Sequence, residues 1–290
     1  MHPEPSARLS RRAFVQAAAA GAWASCQRPG APSDGPPGRA AVGFVSHGAP
    51  TLALDREKGR DLRAWAESMA PPRALLVVSA HWEEAPVALG APEPTDLIYD
   101  FGGFDPRLFE LEYRAPGAPW LAERVSSLLG GAPTRATRGW DHGVWVPLLH
   151  MYPAADVPLL QLSLPSAWSP RRLFELGRSL RPLRDEGVLL LGSGGLVHNL
   201  GALDWSRAGP VPGWAADFEA WARDALRRHD VDALLDFERR APALSRAHPT
   251  HEHLLPLLVA LGASDGSDAV SFPVVGFEYG SLSRTAVQLG

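Results

Sequence analysis

The stretch Leu75-Leu76-Val77-Val78-Ser79-Ala80-His81-Trp82-Glu83 begins as an apolar run and ends at a small-residue pair and a histidine. Pro71-Pro72 precedes the run and polar residues follow it. A branched, apolar run of this length is typical of a strand that is buried in a parallel sheet. His81 would then lie at the carboxyl end of the strand, which is where open α/β sheets bind ligands.

A second histidine follows a similar run upstream. Val42–Ser46 leads directly into His47, and residues 55–69 between the two runs have apolar side chains at helical spacing. Strand, helix and strand in this order predict a right-handed parallel crossover. The crossover would bring His47 and His81 to the same edge of the sheet.

Two more histidines are expected near that edge. Residues 187–191 form a third apolar run, from which a glycine-rich segment leads to His198. His253 falls in residues 248–258, where we expect a helix to begin because Pro249 and Thr250 suit a first turn. The repeated occurrence of a histidine after an apolar run favours a metal site. Imidazole ligands suit zinc, iron, copper or nickel.

The alternation of strand-like and helix-like segments predicts an α/β fold. We expect residues 40–290 to form a single domain, with a central, mostly parallel sheet flanked by helices on both faces. Its 46% hydrophobic content is enough for a full core. Residues 92–119 are rich in glycine, proline and aromatic side chains, and we expect them to form one wall of a pocket. A surface excursion packed on its own aromatics is the alternative.

Composition excludes several classes of function. The formal net charge is −4, and the arginines are scattered rather than clustered, so we expect no nucleic-acid partner. Cys26 is the only cysteine, which rules out an internal disulfide and a site built from several cysteines. The glycines before His198 lack the lysine of a phosphate-binding loop.

Residues 1–39 have the features of a targeting segment. Ser10-Arg11-Arg12-Ala13-Phe14-Val15 precedes an alanine-rich run, as in a twin-arginine signal, and a Pro/Gly-rich tether follows. The run is too short and too weakly apolar to remain as a membrane span. We therefore expect a periplasmic or exported protein, with Cys26 as a candidate for a lipid anchor; a disordered alanine-rich tail is the alternative.

The order of short motifs over most of the chain resembles the 4,5-DOPA extradiol dioxygenase family, which is related to protocatechuate 4,5-dioxygenase. The motifs that carry the resemblance are Ser46-His47-Gly48-Ala49-Pro50, Val78-Ser79-Ala80-His81-Trp82-Glu83, Asp100-Phe101-Gly102-Gly103-Phe104, Tyr113-Arg114-Ala115-Pro116-Gly117, Asp141-His142-Gly143, Val197-His198-Asn199-Leu200, Pro249-Thr250-His251-Glu252-His253 and Gly280-Ser281-Leu282-Ser283.

The resemblance implies a mononuclear non-haem Fe(II), with zinc able to occupy the same site. His47, His81 and His253 match the metal-binding positions of the family. His198 matches a position that binds the metal in some members and is an acid–base group in the wider class. The wider class has a carboxylate as its third ligand, which leaves Glu252 as an alternative to His253.

The implied reaction opens a catechol ring with O2, and the substrate is a small molecule. A histidine is suited to take a proton from the catechol, and His198 and His142 are the candidates. His142 matches a family position that hydrogen-bonds substrate or bound oxygen. Residues 96–113 are expected to contribute to substrate choice. A zinc-dependent hydrolase and an exported metal-binding protein without catalytic activity are the alternatives.

Overall fold

The computed structural model describes residues 38–135, 137–206 and 209–290. The arginine pair, the alanine-rich run and Cys26 lie outside the described residues. None of the helices in the described ranges is long and apolar enough to cross a membrane.

The strands of the described residues are β1 (Val42–Ser46), β2 (Ala74–Glu83), β3 (Leu159–Leu164), β4 (Val188–Gly194), β5 (Val270–Ser271), β6 (Phe277–Glu278), β7 (Leu282–Ser283) and β8 (Ala286–Leu289). Six of them form the central sheet, with the strand order β3-β2-β4-β1-β8-β5. The pairs β3/β2, β2/β4 and β4/β1 are parallel, whereas β8 is antiparallel to both of its neighbours. A separate hairpin consists of β6 and β7.

The helices lie on both faces of this sheet. They are α1 (Arg56–Ser68), α2 (Pro119–Leu128), α3 (His142–Met151), α4 (Pro170–Leu180), α5 (Gly213–Arg227), α6 (Val231–Leu235), α7 (Phe237–Arg240), α8 (Leu244–Ala247) and α9 (Leu255–Ala263). Short 3-10 helices are Pro50–Leu54, Pro106–Glu110, Arg181–Glu186 and Leu200–Ala202.

The side chains of β4 show why the central runs are apolar throughout. Leu189 and Leu191 belong to a core with α1 and α3, whereas Val188 and Leu190 belong to a core with α4, α5 and α9. Alternate residues of a strand point to opposite faces, so a strand that is covered on both faces must be apolar at every position. The predicted α/β fold, with one mostly parallel sheet between two helical layers, is confirmed.

One helix begins later than the sequence predicted. Residues 248–254 are turns, and α9 begins at Leu255, with Pro256 in its first turn. The His253 carbonyl accepts a hydrogen bond from the Gly195 N–H at 2.9 Å, just beyond the end of β4. The His253 carbonyl is therefore hydrogen-bonded to the backbone just after β4, and His253 does not lie on a helix.

Candidate metal centre

The carboxyl ends of β1 and β2 bring His47 and His81 together. His47 directly follows β1, and His81 is one of the last residues of β2. The strand β4 lies between them in the sheet, yet the two Nε2 atoms are only 3.1 Å apart. His47 is buried and His81 is partly buried.

His253 completes the group from the turn before α9. One ring nitrogen from each of His47, His81 and His253 lies within 4.8 Å of the others. At Gly194 a side chain would meet the His253 carbonyl, so the close approach of the two segments requires glycine there. The His253 Nε2 is buried and has no hydrogen-bond partner among the described residues.

The Nδ1 atom of each of these histidines faces an oxygen. Ser193 Oγ lies 2.9 Å from His47 Nδ1 and donates its own proton to the Gly143 carbonyl, so it accepts from the imidazole. Glu252 Oε1 lies 2.9 Å from His253 Nδ1. Asp100 Oδ2 lies 3.4 Å from His81 Nδ1. Acceptors at Nδ1 place the ring proton there and leave Nε2 as a metal-binding lone pair.

Burial keeps these imidazoles neutral. It lowers the pKa of His47 and the pKa of His253 well below the ordinary value, and neighbouring histidines lower both pKa values further. Burial and the nearby His142 lower the pKa of His81 to about 4. A metal must displace any proton on its ligand, so histidines with a low pKa bind metal at neutral pH without that competition.

A single carboxylate orients His142. Asp100 Oδ1 accepts the backbone N–H of His142 at 3.0 Å and its Nδ1 at 2.9 Å. Burial of Asp100 would raise its pKa, but the hydrogen bonds from His142 outweigh it and lower the pKa to about 2. The ionised Asp100 fixes the ring proton of His142 on Nδ1, which leaves Nε2 able to accept a proton.

Asp141 supports the backbone of His81 rather than the ring of His142. Its buried carboxylate accepts from Ser79 Oγ at 2.6 Å, from Gln161 at 2.5 Å and from Arg138 at 3.1 Å. Ser79 Oγ accepts the backbone N–H of His81 at 3.2 Å, and Arg138 donates to the carbonyl of His81 at 3.2 Å. This network fixes the backbone that carries His81.

His198 lies beside the three-histidine group. Its ring stacks on that of His253, with 3.4 Å between the centroids and 6° between the planes. One atom from each of His198, Glu252 and His253 lies within 4.8 Å, a grouping that excludes His47 and His81. Burial and the neighbouring His248 lower the pKa of His198 to about 4. Of the four histidines predicted to bind metal, the structure therefore brings three to one point.

Two residues of the centre were not singled out from the sequence. Asp100 carried a signal, because it begins one of the motifs that gave the resemblance. No pattern in the sequence around Ser193 indicates its role, because that role depends on β4 being the neighbour of β1. Glu252, the alternative third ligand, hydrogen-bonds His253 and Thr250, and so fits better as the group that orients His253.

The histidines open into a pocket of about 650 Å³. Its base includes His81, His142, His198 and His253, and its walls include Phe101 and Phe104. The expectation that residues 92–119 contribute a pocket wall is confirmed for these two phenylalanines. The site thus combines three convergent imidazoles, two further histidines and room for an organic ligand.

The chain is similar to several known proteins. A family model described as "Catalytic LigB subunit of aromatic ring-opening dioxygenase" matches residues 44–290. A relative from Beta vulgaris named "4,5-DOPA dioxygenase extradiol" is 42% identical over 230 residues, which is 76% of this chain and 85% of the relative. A relative with the same name from Escherichia coli (strain K12) is 40% identical over 264 residues, which is 85% of this chain and 93% of the relative.

A solved structure is also similar. The crystal structure of the uncharacterized protein JW3007 from Escherichia coli K12 matches with a TM-score of 0.74 and 35% identity, over 87% of this chain and 100% of that one. The resemblance stated from the sequence is confirmed. Because the family model spans most of the chain and both relatives exceed 30% identity, the chain belongs to the aromatic ring-opening dioxygenase family and is an extradiol ring-cleaving dioxygenase.

Proposed function

We propose that the protein opens the ring of a catechol with O2 at a single metal ion, Fe(II), held by His47, His81 and His253. The observation that carries this proposal is the convergence of one ring nitrogen from each of three histidines, each of which has an oxygen beside its Nδ1. The bond that breaks lies beside the diol. Both atoms of O2 enter the product, one in an aldehyde and one in a carboxylic acid, so no external reductant is needed.

The donor set fits a divalent ion of the iron or zinc type. Neutral imidazoles suit these ions, and the buried Nε2 of His253 has no other partner among the described residues. When bound, iron with three protein ligands supplies open positions at which the two catechol oxygens and O2 meet in fixed geometry. Zinc fits the same donors.

His142 is the residue best placed to take a proton from the catechol. Asp100 holds the Nδ1 proton of His142, and the ring lies in the pocket base beside His81, with 4.0 Å between the two ring centroids. An imidazole with a carboxylate hydrogen-bonded to its Nδ1 is an oriented base. His198, neutral at pH 7 because its pKa is lowered, lines the same pocket and serves as a second proton carrier.

An oxygen-uptake assay tests the proposal. The protein is purified without O2, loaded with Fe(II) and mixed with catechol, protocatechuate or DOPA, and both oxygen and the yellow semialdehyde product are followed. We expect uptake and colour with at least one catechol. Background uptake with iron fully bound would contradict the proposal. Ester hydrolysis by the zinc form without oxygen uptake would support the hydrolase alternative, and metal binding without any turnover would support the metal-binding alternative.

A further inference from the structure

The outer half of the pocket differs in chemistry from its base. The base holds the histidines together with Asp100 and Glu252, whereas the outer walls are mainly apolar, with Asn199 and Thr250 as their polar residues. Phe101 and Phe104 come from one segment of the chain, and Leu200, Leu203 and Trp205 come from another. Phe104 and Trp205 contact each other, with 6.3 Å between their ring centroids. Two separate segments of the chain thus build one apolar wall around the entrance.

Two residues of this wall expose much of their apolar surface. Leu200 is 62% exposed and Trp205 is 55% exposed, more than the other exposed large apolar residues of the described chain. The Trp205 ring is held against Tyr279, with 4.8 Å between the centroids. Neighbouring apolar side chains exposed at a pocket rim indicate a binding surface. Here the surface is continuous with the proposed metal centre, so a ligand at that centre would reach it.

The charges of the pocket disfavour an anionic substituent. Among the described lining residues, none is lysine or arginine, and the two acidic ones are Asp100 and Glu252. Both carboxylates are already engaged by histidines. A carboxylate on the substrate would lose part of its hydration against the apolar wall and would meet no cationic partner among these residues, which is unfavourable. An apolar group would instead cover the exposed faces of Trp205 and Leu200.

We propose that the preferred substrate is a catechol whose ring carries a bulky, uncharged, apolar substituent, bound against Phe104, Leu200 and Trp205. This proposal rests on the proposed function. A volume of about 650 Å³ exceeds what one catechol ring fills, and pockets of about 300–1,000 Å³ commonly hold ligands of drug size. The catechol end lies at the histidines and the substituent lies in the apolar mouth.

A pair of substrates that differ only in charge tests the preference. The pair is 3-(3,4-dihydroxyphenyl)propionate and its methyl ester, with 4-(2-phenylethyl)catechol and catechol as references. Oxygen uptake by the Fe(II)-loaded full chain gives kcat/KM, and anaerobic calorimetry gives Kd without turnover. We expect the ester to exceed the acid by about tenfold or more in both measurements, and the phenylethyl compound to be the best of the four.

The outcomes separate this proposal from the one it rests on. Equal or better binding and turnover of the acid, with rings opened, would overturn the substrate preference and leave the dioxygenase function intact. If no catechol consumes oxygen, the proposed function fails. In that case the Kd values from calorimetry still test whether the pocket prefers an uncharged substituent. An acid that binds as tightly as its methyl ester would overturn that preference.

Substitutions in the wall supply the second test. Trp205→Ala should reduce the ratio of kcat/KM for the phenylethyl compound over catechol by about tenfold. Trp168→Ala is the matched control, because Trp168 stacks under Arg172 at 3.5 Å and does not line the pocket. Leu200→Lys, at an exposed position that should tolerate the change, places a cation at the entrance and should shift the acid-to-ester ratio towards the acid by about fivefold. Unchanged ratios in both wall variants would overturn the proposal.

Discussion

Asp100 and His142 are joined by two hydrogen bonds to one oxygen: Oδ1 of Asp100 accepts the backbone N–H and the ring Nδ1 of His142. The other oxygen of Asp100 lies 3.4 Å from Nδ1 of His81. One carboxylate therefore orients both a proposed metal ligand and the proposed base. The proposed metal binding and the proposed proton transfer would therefore both depend on this residue.

Asp100→Asn should lower kcat by about 100-fold, because an amide has a single acceptor oxygen and no charge to hold the ring proton of His142 on Nδ1. Iron affinity should fall by about 10–100-fold, because the partner of His81 is altered. Steady-state kinetics and iron content measured on the same preparation check both effects. Asp105→Asn is the control, since Asp105 pairs with Arg107 on the surface. An unchanged kcat in Asp100→Asn would contradict the role.

The ligand set predicts which histidines the metal needs. His47→Ala, His81→Ala and His253→Ala should each lose tightly bound iron, because each removes one of three protein ligands. His198→Ala should keep the metal and lose rate, because His198 lies outside the three-histidine group. Iron per chain after gel filtration measures the difference. His251→Ala, in the same turn but beside Phe237 and Glu238, is the control. Loss of iron in His198→Ala would contradict this prediction and show that His198 is a metal ligand.

Glu219 should make stability depend on pH. Burial raises its pKa, and hydrogen bonds from Ser283 and Thr285, at 2.6 and 2.7 Å, together with Arg223 at 3.9 Å, only partly oppose the rise. The folded state then holds a proton that the unfolded state releases near its ordinary pKa of about 4.3. This contribution to stability is complete below that pH and is lost as the pH rises through the raised pKa of folded Glu219.

Urea unfolding of the unaltered chain and of Glu219→Gln between pH 4 and pH 8 measures this contribution. Because other carboxyl groups also titrate there, the informative quantity is the difference between the two free energies of unfolding. That difference should shift steadily in favour of the variant as the pH rises. Glu57→Gln, at a position whose side chain is 87% exposed, is the control and should run parallel to the unaltered chain. A constant difference for Glu219→Gln would contradict the assignment.

Export remains a prediction from residues 1–39. We propose that the arginine pair directs a folded, metal-loaded enzyme through the twin-arginine route, since metal choice is then made before export. Arg11→Lys combined with Arg12→Lys should leave active enzyme in the cytoplasm, whereas the unaltered chain should be found beyond the inner membrane. Cell fractionation with activity assays tests this. The same distribution for both forms would refute the export proposal without affecting the chemistry of the site.

The strand ends were readable from the sequence for a physical reason. A strand covered on both faces must be apolar throughout, so the residue at which that pattern stops marks the ligand-binding edge, as it does at His47 and His81. The sequence predicts a helix at His253, but His253 lies in the turn before one, and its carbonyl accepts a hydrogen bond from the Gly195 N–H.

Contacts between distant segments could not be predicted from the sequence. The partnership of Ser193 with His47 depends on β4 lying between β1 and β2, and local periodicity does not encode strand order. The approach of Asp100 to His81 and His142 likewise depends on how an irregular segment folds back over the sheet edge. In both cases the partner comes from a different part of the chain, and no pattern in its own neighbourhood predicts it.

Iron-dependent ring opening at the three histidines is tested by an iron titration under oxygen-uptake conditions with a catechol that the enzyme opens. Fe(II) is added stepwise to metal-free protein and to His253→Ala, and oxygen consumed is compared with ring-opened product. We predict that the rate rises with iron up to one ion per chain, that one O2 is consumed per product molecule, and that His253→Ala stays at background. Full iron binding with background uptake in the unaltered chain, or equal rates in both proteins, would contradict it.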